Sequence, residues 1–109
     1  MPGIELLDYV QGDHITATMR DQIIEIVHDT LDFVTGTKPA HSNFRYSTAG
    51  YLDTSGYDYI LVVDGEENQC TTELKKEIRT IIKEKVAELL DITEEQIAVR
   101  YRLHNSSFG

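Results

Sequence analysis

The apolar residues of this chain change their spacing in a fixed order, and that order restricts the fold more than any single motif. Ile4, Leu6 and Val10 lie on one parity and Leu7 and Tyr9 on the other, which describes a strand with both faces at least partly covered. Gln11, Gly12 and Asp13 end it. From about Thr16 to Val34 the spacing becomes helical: Met19, Ile23, Val27, Leu31 and Val34 recur with Ile24 beside them, while Arg20, Asp21, Glu25 and Asp29 fall on other faces. Thr35-Gly36-Thr37-Lys38-Pro39 stops this helix, because Gly suits the left-handed position after a last turn and Pro prevents continuation.

The second half repeats the pattern. Ser42 to Leu52 alternates Phe44 and Tyr46 with Arg45 and Ser47 and then meets Gly50, so a strand with a kink or early end is expected. After the turn Asp53-Thr54-Ser55-Gly56, the run Tyr57 to Val63 is aromatic and β-branched on both parities and should be a central strand. Leu74, Ile78, Ile81, Ile82, Val86, Leu89 and Leu90 mark a second long amphipathic helix, with Thr71 or Thr72 as N-cap and Glu73 complementing its dipole. Thr93-Glu94-Glu95-Gln96 has capping-box spacing and predicts a single helical turn. In the last strand Ile97, Val99, Tyr101 and Leu103 alternate with Ala98, Arg100, Arg102 and His104, giving one apolar and one basic face.

The expected fold is therefore an α/β (α+β) domain of order β-α-β-β-α-β, with a four-stranded mixed sheet. Asn43-Phe44-Arg45-Tyr46 echoes Ala98-Val99-Arg100-Tyr101, which suggests a pseudo-repeat of about 2–52 and 57–105. Two right-handed β-α-β units in one sheet place both helices on one face. The other face, with Arg45, Arg100 and Arg102, is left open, and Leu7 and Ile60 or Val62 are expected to be exposed there. Covering that face calls for a homo-oligomer.

Length and charge narrow the function classes. At 109 residues the chain makes one domain, 1–109, and no apolar run approaches the ~20 residues of a membrane span. Ten Lys and Arg against nineteen Asp and Glu give a net charge of −9, which disfavours nucleic-acid backbones as partners. The lone Cys70 and the absence of a basic-then-apolar start predict a reducing, cytoplasmic location. Five of the cations, Lys75, Lys76, Arg79, Lys83 and Lys85, crowd into the second helix.

Pro2 is the residue with most chemical potential. If Met1 is removed, Pro2 carries a free secondary amine at the mouth of a strand; if Met1 stays, that nitrogen is an amide without basicity. An α-amino group titrates at ~8, close to the operating pH of a general base, and desolvation or a nearby cation lowers it further. An arginine would also hold the carboxylate of a keto acid or a developing enolate. Pro2 with Lys38 and Arg100 or Arg102 forms a workable set, with Arg45 on the same open face. A strand can equally begin with Pro for no chemical reason.

The chain resembles the tautomerase superfamily, and within it the macrophage migration inhibitory factor-like members. The resemblance rests on Met1-Pro2 before the first strand, the β-α-β-β-α-β order, Thr35-Gly36-Thr37-Lys38-Pro39, the connector Ile92-Thr93-Glu94-Glu95-Gln96-Ile97 and the terminal Asn105-Ser106-Ser107-Phe108-Gly109. It implies a homotrimer with active sites between neighbours, in which Pro2 moves a proton between carbon and oxygen of a small anionic keto or enol acid, without a cofactor. Lys38 matches the cationic position after the first helix that lines the substrate site in those members; it also suits a lysine complementing the helix C-terminus. Where the pattern has a tyrosine and an asparagine on the last long strand, this chain has Ala98 and Arg100, so its substrate recognition would differ. The loop after the second strand also lacks the family's glycine pair.

Other chemistries find little support. His14, His28, His41 and His104 lack metal-ligand spacing with Cys70, so no metal is expected, and Glu66-Glu67 reads as a solvated turn. No phosphate loop, nucleophile elbow or dinucleotide fingerprint is present. The alternative is a non-catalytic ferredoxin-like regulatory or assembly module, which uses the same element order without chemistry at its N-terminus.

Overall fold

In the computed structural model the described residues are 3–10, 15–50, 54–66 and 71–104. Strands β1 (Gly3–Asp8), β2 (Asn43–Thr48), β3 (Tyr59–Glu66) and β4 (Ile97–His104) form one mixed sheet of order β2-β1-β3-β4, with helices α1 (Ala17–Thr35) and α2 (Thr72–Leu90) between them in sequence. This is the expected β-α-β-β-α-β order. The outer pairs β1–β2 and β3–β4 are parallel and the central pair β1–β3 is antiparallel. Among the described residues no helix is long and apolar enough to cross a membrane.

The helix ends follow their local chemistry. Thr16 and Thr71 accept hydrogen bonds from the backbone N–H of Met19 and Leu74, satisfying donors that a helix start leaves open. Gly36 takes the left-handed conformation at φ 79° and donates its N–H to the Asp32 carbonyl, closing α1 as the sequence predicts. Asp91 adopts a left-handed φ of 56° at the end of α2 without the help of glycine. Glu94–Gln96 is a single 3₁₀ turn in which the Gln96 side chain accepts from the Thr93 N–H at 2.8 Å.

Both helices lie on one face of the sheet. Ile4, Leu6, Leu61, Val63, Ile97 and Tyr101 from the strands meet Ile23, Val27 and Leu31 of α1 and Ile78, Ile82 and Val86 of α2 in one continuous core. Burying each such side chain contributes roughly 1.5–3 kcal/mol against the cost of ordering it.

Three expectations need correcting. The first strand ends at Asp8, not Val10, because the Asp8 carboxylate accepts the Val10 N–H at 2.8 Å and turns the chain; Val10 is left half exposed. The second strand ends at Thr48, the early end expected before Gly50, whereas the third begins at Tyr59 rather than Tyr57. Ile60 and Val62, expected to be open on the helix-free face, are only 5% and 7% exposed. Strand β3 is flanked on both sides, and the register sets Leu7 and Ala98 beside Ile60 and Glu5 and Arg100 beside Val62.

Candidate functional site

The helix-free face carries a hollow of about 270 Å³ at the end of the sheet where β1 begins, lined among others by Gly3, Glu5, Asn43, Arg45, Asp64 and Arg102. The register explains the grouping. Gly3 pairs with Asn43, Glu5 with Arg45 and Asp64 with Arg102, so all four strands bring a charged residue to one place. A Cβ at Gly3 would stand 3.3 Å from Asp64 Oδ2, a tight approach that the carboxylate would have to ease by a small shift.

Each arginine of the hollow has a carboxylate partner. Arg102 Nε donates to Asp64 Oδ1 at 2.9 Å, and its Nη2 reaches Asp64 Oδ2 at 3.4 Å. Arg45 Nε stands 3.6 Å from Glu5 Oε2, which also accepts from Ser47 Oγ at 3.4 Å. Two cations and two anions offset one another. The pairs are solvent-exposed and therefore weak, so an incoming carboxylate can displace Glu5 or Asp64 from a guanidinium at small cost.

The other residues singled out in the sequence lie apart. Arg100 is exposed on the same face, two residues before Arg102, in register with Val62. Lys38 does not line the hollow; it bonds Asp29 of α1 at 3.0 Å, and that bond with the Asp29 charge raises its pKa above the ordinary lysine value. Pro2 directly precedes Gly3 in the chain but lies outside the described residues, as do His14, Glu67, Cys70 and the terminal 105–109. His28 is buried against the start of β2, sharing a hydrogen bond of 2.7 Å between its Nε2 and Ser42 Oγ. Burial, then the Lys38 charge, lowers its pKa. Among the described residues no three His, Cys, Asp or Glu side chains gather as metal ligands.

One polar cluster escaped the sequence reading. At the far end of β1, Asp8 is fully buried on the helix-covered face and accepts a hydrogen bond from the Tyr46 hydroxyl through Oδ2. Tyr59 sits opposite Asp8 in the register, and burial followed by the Asp8 and Asp58 charges pushes its pKa up to about 12. The available signal was parity, because Asp8 follows Ile4 and Leu6 at steps of two.

The sheet order and paired crossovers define the tautomerase/MIF class of fold. Solved structures place it there: a member of the cis-3-chloroacrylic acid dehalogenase family superposes with TM-score 0.77 at 13% identity, covering 98% of this chain and 78% of its own. A malonate semialdehyde decarboxylase gives 0.68 at 12% identity, covering 94% and 84%. A macrophage migration inhibitory factor from Toxoplasma gondii gives 0.67 at 14%, covering 98% and 93%. A fused 4-OT described as an asymmetric trimer gives 0.71 at 14%, covering 96% and 88%. No protein-family model and no curated protein sequence matches the chain.

Proposed function

We propose that this chain is a homotrimeric, cofactor-independent enzyme of the tautomerase superfamily, with Pro2 as general base after removal of Met1 and a small anionic keto or enol acid as substrate. The observation that carries the reading is the hollow where β1 begins: Gly3, the residue bonded to Pro2, lies in it with Arg45 and Arg102. A substrate carboxylate would exchange for Glu5 or Asp64 on one of these arginines, while Arg100 adds positive charge on the same face and Lys38 would do so only on leaving Asp29. The proline nitrogen then takes a proton from the carbon next to the carbonyl. The C–H electron pair becomes the new C=C bond, the carbonyl π pair moves to oxygen, and the same proton is returned to that oxygen, leaving the amine as it began.

Intact mass and exchange kinetics test this together. The expected chain is short by one methionine and accelerates enol–keto exchange of phenylpyruvate, and Pro2→Ala removes the acceleration while the protein stays folded. A mature chain that keeps Met1, or a Pro2→Ala protein of unchanged rate, overturns the mechanism.

A non-catalytic regulatory or assembly module is the second reading, and the pairing of both arginines with Asp64 and Glu5 favours it. Full folding and assembly without any exchange activity at any pH from 5 to 10, on an order-of-magnitude scale of proline titration, would select it.

A further inference from the structure

Three of the five cations of α2 share one flank. Lys76, Arg79 and Lys83 follow one another at steps of three and four, so they share a side of the helix, and with Tyr57 and the edge residues Ala98 and Val99 they line a groove of about 310 Å³ between α2 and β4. Arg20, Lys38, Arg45 and Arg102 each have a carboxylate within 4.0 Å. Among the described residues none of the three groove cations has one. Of the acidic residues of the same helix, Glu77, Glu84 and Glu88 fall on a different ridge by the same spacing rule, and Glu73 lies one turn before Lys76.

The opposite edge of the molecule has the complementary charge. On α1, Asp21, Glu25, Asp29 and Asp32 are all exposed and recur at steps of four, four and three. They lie next to the flank that carries His28, and the His28–Ser42 hydrogen bond fixes that flank against the start of β2. Arg20 and Lys38 engage Asp21 and Asp29, leaving the stripe net acidic. Strands β2 and β4 are the two edges of the sheet, each paired on one side only among the described residues.

We infer that the groove of Lys76, Arg79 and Lys83 is a docking surface for a second copy of this chain, which presents its Asp21–Asp32 stripe of α1 beside its β2 edge. Such a contact is head-to-tail: each copy offers a basic edge and receives through an acidic one, so no self-complementary patch is needed, and the copies form a ring when the rotation between them closes. Chains that each carry a charge of −9 repel one another as a whole, and a local cationic groove supplies the attraction and the register. The inference rests on the self-association proposed above and names the surfaces that make it.

Charge reversal of the full-length chain tests it by sedimentation. Lys76→Glu/Arg79→Glu/Lys83→Glu and, separately, Asp21→Lys/Glu25→Lys/Asp32→Lys should each weaken assembly by about tenfold or more at low salt, since several rim pairs turn from attractive to repulsive. A chain with both sets has complementary edges again and should reassemble, which also excludes misfolding as the cause of the loss. Raising the salt should weaken the unaltered assembly and narrow these differences. Assembly unchanged by either triple reversal, or failure of the combined chain to reassemble, overturns the docking surface. So does a groove that binds inorganic tripolyphosphate while its reversal leaves assembly intact. A wild-type chain that is monomeric at every concentration removes the self-association reading as well, so the two failures are distinguishable.

Discussion

Arg102 and Asp64 form a forked pair across β3 and β4, and the Asp64 Oδ2 atom of that pair is the one a Cβ at Gly3 would meet at 3.3 Å. The carboxylate therefore stands between the guanidinium and the residue bonded to Pro2. An arginine alone would lower the pKa of a nearby amine, and a carboxylate at similar distance opposes it.

Asp64→Asn should lower the apparent pKa of the Pro2 amine by about half to one unit, the exposed setting holding the shift well below that of a buried pair. The basic form would then predominate from a lower pH, and the rising limb of the pH–rate profile would move down by the same amount. A limb that stays in place would show that Asp64 does not act on the amine.

Gly65 and Tyr101 occupy touching space on the core face, where a Cβ at Gly65 would lie 1.8 Å from the tyrosine hydroxyl and 2.3 Å from its Cζ. Gly65→Ala should destabilise the protein by about 2–4 kcal/mol in urea denaturation, because Tyr101 must leave its place over β3. Adding Tyr101→Ala should recover part of the loss relative to the sum of the single changes. Strict additivity would contradict this contact.

The raised Tyr59 pKa fixes a sign at high pH. With a folded pKa of about 12 against an ordinary 10.0, the unfolded chain loses its proton first as pH rises. Stability from this group is complete below pH 10 and falls between there and about 12, by roughly 2–3 kcal/mol in all. Tyr59→Phe should flatten that slope in denaturation series, whatever it does to stability at neutral pH.

His28 sets the opposite limb. Its folded pKa lies below the ordinary 6.5, so its contribution is complete above that value and is lost as pH falls from there through the folded pKa. His28→Gln, which keeps a group able to bond Ser42, should reduce the loss of stability on mild acidification. An unchanged acid limb would assign that loss to other groups.

The elements were legible because period and caps agree: Ile78, Ile82 and Val86 on one stripe with Thr71 before them describe α2, and Gly36 closes α1. Asp8 was not legible as buried, because a carboxylate on the core parity needs a polar partner to stay there, and its partner Tyr46 lies on another strand. The grouping of Glu5, Arg45, Asp64 and Arg102 needs the register of all four strands, since β1 lies between β2 and β3 in space and far from both in sequence. Sequence spacing could place Lys38 beyond α1, yet not its bond back to Asp29 on the preceding turns.

The strand register also bears on how this sheet comes together in time. Gly3 pairs with Asn43, Tyr59 with Ile97 and Ile4 with Val63, so every pairing joins residues roughly forty or more apart in sequence, and none of the three pairings is a hairpin. None of these four strands can zip to its partner from a turn. Each parallel pair must wait for its crossover helix to form and collapse, and the central antiparallel pair closes the longest loop. A domain this small with such contacts should refold on the millisecond-to-second scale. Until β1 and β3 meet, each half of the chain holds its strands with their backbone groups open to other molecules.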